Sequence, residues 1–201
     1  MGLFNFFTQE IAMDLGTANT LIIHNDEVVV NEPSIIALNR NNMKEVLGVG
    51  KKALLMHEKT HESIKTVRPL KDGVIADFNA AELMIRELMK MIYPKKPLFP
   101  PSWRMVICIP SSITEVEKRA VRDSAEQAGA KEVYMIHEPM AAALGIGIDV
   151  EEPVGNMIID IGGGTTGITV IALAGIVCDQ SIRIAGDEFT ADIMEALRRY
   201  H

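Results

Sequence analysis

A run of glycine and threonine between two apolar segments constrains this chain more than any other feature. Residues 157–161 and 168–173 are short, apolar apart from Asp160 and Thr169, and rich in β-branched side chains, which predicts two strands. The turn between them consists of Gly162, Gly163, Gly164, Thr165, Thr166 and Gly167. Glycine permits positive φ and leaves the backbone bare, so we expect a hairpin whose turn exposes N–H groups and hydroxyls. Such donors suit a phosphate, and a glycine-rich hairpin without a ligand is the alternative.

The same order of features occurs near the start of the chain, in residues 11–24. An apolar segment carries one aspartate, Asp14, and a second apolar segment follows a short turn. That turn consists of Gly16, Thr17, Ala18, Asn19 and Thr20. We interpret the two hairpins as an internal repeat. Residues 14–20, the first loop, and residues 160–166, the second loop, are therefore predicted to close on a polyphosphate from both sides.

The two aspartates predict a cation. A carboxylate next to a polyphosphate is repelled unless a positive ion lies between them. Mg²⁺ keeps several of its waters and is commonly held by one or two carboxylates together with phosphate oxygens. We expect Asp14 and Asp160 to hold Mg²⁺ through its waters; the alternative is a pair of strand-end aspartates that cap turns.

Glu138 is a candidate catalytic residue. It lies between a predicted strand and a helix that begins at Pro139, at the end of an α/β sheet where ligands bind. A glutamate near the phosphate loops could orient or deprotonate the water that attacks a terminal phosphate. The alternative is a helix-start glutamate that interacts favourably with the helix dipole.

Composition excludes several classes of protein. The 201 residues carry a formal charge of −7 and no long Lys/Arg run, which argues against nucleic-acid binding. Cys108 and Cys178 lack a CxxC spacing and are expected to be buried thiols in a reducing cytoplasm. The apolar runs are too short to span a membrane, and no basic region precedes one as in a secretory signal.

Two apolar segments are candidate membrane contacts. The first ten residues contain Leu3, Phe4, Phe6 and Phe7, and a proline-rich loop places Leu98 and Phe99 next to two lysines. Both segments suit insertion into a bilayer surface. The alternatives are that the first segment folds back onto the core and that the loop packs on Trp103.

Alternating strands and helices indicate an α/β domain. Residues 28–38 are predicted to continue as a strand, in which Pro33 indicates an edge position or a bend. Residues 51–65 have helical spacing. His57 and His61 lie four residues apart in that segment, and a solvated helix face is preferred to a metal site.

Three helix features are also predicted. Asn79 is a plausible N-cap, and Thr114 with Glu117 forms a capping box. Phe189, Ile193 and Leu197 are expected to form the buried stripe of the last helix.

Five segments taken together resemble a known family. They are DLGTANT at residues 14–20, RPLKDGVIADF at 68–78, EPMAAALG at 138–145, DIGGGTT at 160–166 and SIRIAGDEF at 181–189. In this order they resemble the MreB family of bacterial actin-like, rod-shape-determining proteins, within the superfamily of chaperone ATPases and sugar kinases. Two positions depart from the family pattern: Gly167 and His137 each stand where many members carry glutamate.

The resemblance implies an actin-like, ribonuclease H-like ATPase fold with mixed sheets flanked by helices and an incomplete second half. Residues 1–39 and 70–150 would form subdomain IA, 40–69 subdomain IB, and 151–201 the start of IIA. The rest of IIA and all of IIB would be absent.

The resemblance also implies the chemistry and the partners. Glu138 would activate the attacking water, Thr165 would position it, and both loops would bind the phosphates of ATP with Mg²⁺. The protein would form filaments with itself on the inner face of the cytoplasmic membrane and organise peptidoglycan synthesis with the cell-wall elongation machinery. The alternatives are a truncated, non-catalytic fragment that binds membrane or filaments, and a soluble enzyme of the superfamily such as a kinase.

Overall fold

A computed structural model describes residues 8–57, 59, 62–92 and 102–200 of the chain. The strands are β1 (Thr8–Leu15), β2 (Asn19–His24), β3 (Glu27–Pro33), β4 (Ile36–Asn39), β5 (Asn42–Val49), β6 (Ile64–Val67), β7 (Leu70–Lys71), β8 (Val74–Ile75), β9 (Ser102–Ile109), β10 (Ala130–His137), β11 (Asn156–Ile161), β12 (Thr166–Ala172) and β13 (Gly175–Ile182). The helices are α1 (Lys51–Leu54), α2 (Phe78–Ile92), α3 (Glu115–Gln127), α4 (Glu138–Gly145) and α5 (Gly186–Tyr200). The predicted α/β class is confirmed.

The largest sheet, called the core sheet here, has the strand order β10-β9-β1-β2-β3. Strand β1 pairs antiparallel with β2 and parallel with β9, so it lies at the centre. Side chains alternate along a strand, and Ile11, Met13 and Leu15 on one face of β1 are 3%, 0% and 6% exposed. They share one hydrophobic cluster with Met84 of α2 and Val121 of α3. This packing holds the end of β1, and with it the first loop, in a fixed position.

The prediction of a strand over residues 28–38 with a bend at Pro33 is correct about the bend but wrong about the continuity, because two strands in different sheets replace it. Strand β3 ends at Pro33, which has no N–H to continue a ladder. Ser34 then turns the chain: its N–H donates to the Ala18 carbonyl at 2.9 Å, and its hydroxyl donates to the Gly16 carbonyl at 2.6 Å. Strand β4 continues in a separate small sheet of order β5-β4-β6. This small sheet lies within residues 36–67.

The helix predicted for residues 51–65 is also wrong over most of its length. Helix α1 has only four residues, and Ile64–Val67 forms β6, which pairs antiparallel with β4. Pairing with β4 outweighs the helical spacing, because tertiary contacts override weak local propensity. The Nδ1 atom of His57 is 2.9 Å from the Thr66 hydroxyl, and His61 lies outside the described residues.

The N-cap of α2 differs from the predicted residue. Asp77 Oδ1 accepts a hydrogen bond from the N–H of Ala80 at 3.0 Å, so Asp77 caps the helix and Asn79 lies inside it. The capping box of α3 is confirmed, because the Thr114 hydroxyl accepts from the Glu117 N–H and the Glu117 carboxylate accepts from the Thr114 N–H.

A second sheet, of order β11-β12-β13, follows α4. Its small hydrophobic cluster of Ala143, Ile158 and Ile171 is separate from the cluster of the core sheet. Helix α4 packs against β9 and β10 of the core sheet and against β11 and β12 of the second sheet. It therefore joins the two halves of the structure.

The second sheet has an open apolar face. Met157, Ile159 and Ile161 of β11 are 63%, 59% and 60% exposed, and α5 has no buried residue. The predicted buried stripe of α5 is wrong, because Phe189, Ile193 and Leu197 are all exposed. Within the described residues no element covers that side of the helix.

The prediction that both cysteines are buried is wrong for Cys178, which is exposed on β13, whereas Cys108 is partly buried.

The candidate membrane residues Leu3, Phe4, Phe6, Phe7, Leu98 and Phe99 all lie outside the described residues. Among the residues that the structure describes, no helix combines the length and apolarity needed to cross a bilayer.

Alanine substitutions distinguish the observed N-cap of α2, Asp77, from the predicted one, Asn79. Asp77→Ala leaves a helix N–H group without its acceptor and is expected to lower the free energy of unfolding by about 1 kcal/mol. Asn79→Ala, a matched substitution inside the helix, is expected to change it by less than about 0.5 kcal/mol. Urea denaturation of both variants measures the difference, and a larger loss for Asn79→Ala would contradict the assignment.

Candidate functional site

The two predicted loops have the same backbone geometry. In the first loop the Gly16 N–H donates to the Asn19 carbonyl at 3.1 Å, and in the second loop the Gly162 N–H donates to the Thr165 carbonyl at 2.9 Å. Each donor lies two residues after the aspartate of its hairpin. The repeat seen in the sequence is therefore a structural repeat as well.

The glycines at these two positions are required by a close approach of backbone. A Cβ atom added to Gly16 would lie 2.7 Å from the Asn19 carbonyl oxygen, and one added to Gly162 would lie 3.2 Å from that of Thr165. Both distances are shorter than ordinary van der Waals contact. A larger residue at either position would open the turn.

The two loops also touch each other. A Cβ atom on Gly163 would lie 2.6 Å from the Ala18 Cβ, and one on Gly164 would lie 3.0 Å from the Thr17 side chain. The second loop therefore packs against the first through bare backbone. Any side chain at these positions would push the loops apart.

Neighbouring segments hold each loop in place. The Gly73 N–H donates to the Thr17 hydroxyl at 3.0 Å. At the start of α5, the N–H groups of Gly186 and Asp187 donate to the carbonyls of Gly162 and Gly163 at 3.1 and 2.8 Å. With those carbonyls turned towards α5, the N–H groups of Gly163 and Gly164 donate to no backbone carbonyl within the described residues. These N–H groups suit an anion.

A cleft of about 690 Å³ lies between the two halves. Every residue of the two predicted phosphate-binding loops lines it except Thr20 and Thr166, and Glu138 lines it too. The Thr166 hydroxyl donates instead to the Ile184 carbonyl at 2.7 Å, behind the loop. Gly167 also lines the cleft, and a Cβ added there would meet no atom within 4 Å, so a larger residue would fit.

Three carboxylates share this cleft. Burial, together with the negative charges of Asp14 and Asp160, raises the pKa of Glu138 to about 7. Burial, followed by the charge of Asp160, also raises the pKa of Asp14. Asp14 is exposed to the open cleft, so water reaches its carboxylate on one side while protein surrounds the other sides.

The donor set fits a hydrated divalent cation. No group of three or more potential protein ligands is close enough to hold a metal directly in the part of the chain that the structure describes. Asp14 and Asp160 nevertheless face one cleft, and the charge of Asp160 contributes to the raised pKa of Asp14. Two carboxylates in such an arrangement suit Mg²⁺ bound through its waters.

The sequence did not identify several residues of the cleft wall. Ser111 follows β9, Thr169 lies on β12, and Gly73 lies between β7 and β8; all three line the cleft. Cys108 lines it beside Asp14 in the β1–β9 ladder. Burial and the charges of Asp14 and Glu138 raise the pKa of Cys108 to about 12, so it stays a thiol at neutral pH. Cys108 could have been identified as a cleft residue only from its position opposite Asp14 on a neighbouring strand.

Comparisons with known proteins give the family. The model of the MreB/Mbl protein family matches residues 8–201. The chain is 46% identical over 197 residues to the cell shape-determining protein MreB of Haemophilus influenzae, covering 96% of this chain and 56% of that protein. It is 45% identical over 194 residues to the cell shape-determining protein Mbl of Bacillus subtilis, covering 96% of this chain and 57% of that protein.

The chain belongs to the MreB/Mbl family. Its fold superposes on that of MreB5 of Spiroplasma citri bound to ADP with a TM-score of 0.85 and 39% identity, covering 96% of this chain and 57% of that one. The complex of the same protein with AMPPNP gives a TM-score of 0.84 at 40% identity, with the same coverage. The predicted actin-like fold is confirmed.

The chain spans about half the length of these relatives. The exposed apolar residues of β11 and α5 lie in the half of the structure that contains the second sheet.

Protonation of Glu138 is expected to make stability depend on pH. Its pKa is about 7 in the folded protein against an ordinary value of 4.5. Between these pH values Glu138 is therefore more often protonated in the folded protein than in the unfolded chain. Stability contributed by this group is present below about pH 4.5, falls as the pH rises to about 7 and stays lost above it. Glu138→Gln is therefore expected to raise the free energy of unfolding by about 1–2 kcal/mol at pH 8 and to leave it nearly unchanged at pH 4.5.

Urea denaturation in EDTA at the two pH values measures this effect. Glu126→Gln, on the exposed side of α3, is the matched control and is expected to show no such difference. Equal effects of Glu138→Gln at both pH values would contradict the raised pKa.

Proposed function

We propose that this chain supplies the phosphate-binding half of an ATP site in a membrane-associated, filament-forming cell-shape protein. The observation that carries the proposal is the contact of two equivalent glycine-rich loops across one cleft, with three carboxylates at its base. A single glycine-rich turn occurs in many proteins. Two that face each other, each with an aspartate at the same position, provide donors on both sides of a polyphosphate.

The relatives support ATP as the ligand. MreB5 of Spiroplasma citri binds ADP and AMPPNP in the structures that this chain resembles. Backbone N–H groups of Gly163 and Gly164 would bind phosphate oxygens, and the hydroxyl of Thr17 stabilises the turn at Gly73. Asp14 and Asp160 would hold Mg²⁺ through its waters, and the ion would neutralise phosphate charge.

Glu138 is proposed as the general base for hydrolysis. A pKa of about 7 is close to the pH at which a base both accepts a proton efficiently and is partly ionised. Glu138 begins α4 at the carboxyl end of β10, which aims its side chain at the cleft. Thr165, in the second loop, would position the water that Glu138 activates.

The wider role follows the relatives, whose printed names call them cell shape-determining proteins. We propose that the whole protein polymerises with itself on the inner face of the cytoplasmic membrane and guides cell-wall synthesis with the elongation machinery. Leu3, Phe4, Phe6, Phe7, Leu98 and Phe99 would make the membrane contact. The alternative is a non-catalytic fragment that binds nucleotide, membrane or filaments without turnover.

Titration of the chain with fluorescently labelled ATP and Mg²⁺ tests the proposal. Wild type is expected to bind saturably, and Gly163→Ala is expected to weaken binding by at least about tenfold, because the added Cβ would meet Ala18 at 2.6 Å. Phosphate release in the same samples measures turnover. Glu138→Gln is expected to keep the affinity and to release phosphate at least about 100-fold more slowly.

The matched control is Gly145→Ala at the end of α4, where an added Cβ meets no atom within 4 Å. It is expected to bind as wild type does. Saturable binding without phosphate release would favour the non-catalytic alternative. Absence of binding at millimolar ATP, or equal binding by Gly163→Ala, would refute the phosphate-binding role of the loops.

A further inference from the structure

The two halves of the structure share no hydrophobic core among the described residues. One apolar cluster lies between the core sheet and helices α2 and α3, and the other lies between α4 and the second sheet. Helix α4 contacts both sheets, so it is the helix that links the two halves. Besides the direct contact between the two loops, polar contacts therefore hold the halves together.

One carboxylate makes the best placed of these contacts. Asp179, on β13, accepts hydrogen bonds at a single oxygen, Oδ1, from the Ser111 hydroxyl at 2.6 Å and the Thr169 hydroxyl at 2.7 Å. Ser111 follows β9 in the core-sheet half, whereas Thr169 lies directly opposite Asp179 in the β12–β13 ladder. The bond to Ser111 thus crosses between the halves, and the bond to Thr169 fixes the carboxylate within the second sheet.

The environment makes this contact strong and places it at the cleft. Thr169 is 1% exposed, so water competes little for its hydroxyl, and Asp179 and Ser111 are both partly buried. Hydrogen bonds to a carboxylate are roughly twice as strong as those between neutral groups. Ser111 and Thr169 both line the cleft, so Asp179 draws together two segments of its wall.

A weaker contact acts on the same side. Arg183, directly after β13, lies 3.7 Å from the carboxylate of Asp72, but its side chain is 75% exposed. Solvated ion pairs of this kind contribute little. The position of this ion pair is informative, because the Asp72 N–H lies 3.1 Å from where a Cβ of Gly164 would be. The Asp179–Ser111 bond and the Arg183–Asp72 ion pair thus both reach segments that flank the loops.

We propose that Asp179 is a positioning residue for nucleotide binding, which holds the core-sheet half and the second sheet together through Ser111 so that the first and second loops stay in contact. This inference rests on the proposed nucleotide site. Asp179 acts on the ligand only through Ser111 and Thr169. Loss of its bond to Ser111 lets the cleft open about α4 without disturbing either hydrophobic cluster.

A double-mutant cycle with Mg²⁺ and labelled ATP tests the proposal. Ser111→Ala and Asp179→Ala are each expected to weaken binding by about tenfold, and the double variant is expected to be no weaker than Asp179→Ala. Asp179→Asn keeps an oxygen that accepts both hydrogen bonds and is expected to bind within about threefold of wild type. Ser112→Ala, at the exposed neighbouring serine, is the matched control and is expected to bind as wild type.

Hydrogen exchange of the ligand-free chain provides a readout that does not need nucleotide. Ser111→Ala is expected to speed amide exchange in residues 14–20 and 160–166 while exchange in α2 stays unchanged. A destabilised core would instead speed exchange in α2 as well. If wild type failed to bind ATP but Ser111→Ala still sped exchange in both loops, the positioning role would stand and the proposed function would fail.

Three results would overturn the inference. The first is wild-type affinity in Ser111→Ala together with unchanged exchange in both loops. The second is additive losses in the double variant, since independent effects exclude a shared bond. The third is failure of Asp179→Asn to recover binding, which would show that the charge of Asp179, and not its hydrogen bonds, is what matters.

Discussion

Contact between the bare backbone of the second loop and the first loop is the constraint on which the rest of the site depends. Gly163 approaches Ala18 so closely that a single added carbon would lie 2.6 Å from its Cβ. This approach sets the width of the cleft and brings Asp14 and Asp160 to one place. Their shared negative charge contributes to the raised pKa of Glu138, so the glycines determine the electrostatics of the site as well as its shape.

The internal repeat explains both what is buried and what is open. Ile11 and Met13 of β1 are almost fully buried, whereas Met157 and Ile159, three and one residues before Asp160, are more than half exposed although they occupy the equivalent positions before their aspartate. The difference lies in the covering elements. Helices α2 and α3 lie over the first hairpin, while the described residues place no such pair over the second.

Local chemistry made most of the site predictable from the sequence. The two glycine-rich turns, their aspartates, Glu138 before a proline and the capping box of α3 each depend on neighbours within a few residues. The passage of the chain into a second sheet after Pro33, the short α1 and the Asp77 cap were not predicted, because a sheet partner or a competing cap decides them. Ser111 and Asp179 were missed because they meet across 68 residues of sequence, and no local pattern marks such a pair.

The most direct test of the central claim is a nuclear magnetic resonance titration of the ¹⁵N-labelled chain with Mg²⁺ and AMPPNP. If both loops clamp one polyphosphate, the amide resonances of Gly16 and of Gly162, Gly163 and Gly164 will shift together and fit a single dissociation constant. Shifts confined to one loop, or two different constants for the two loops, would contradict a shared site.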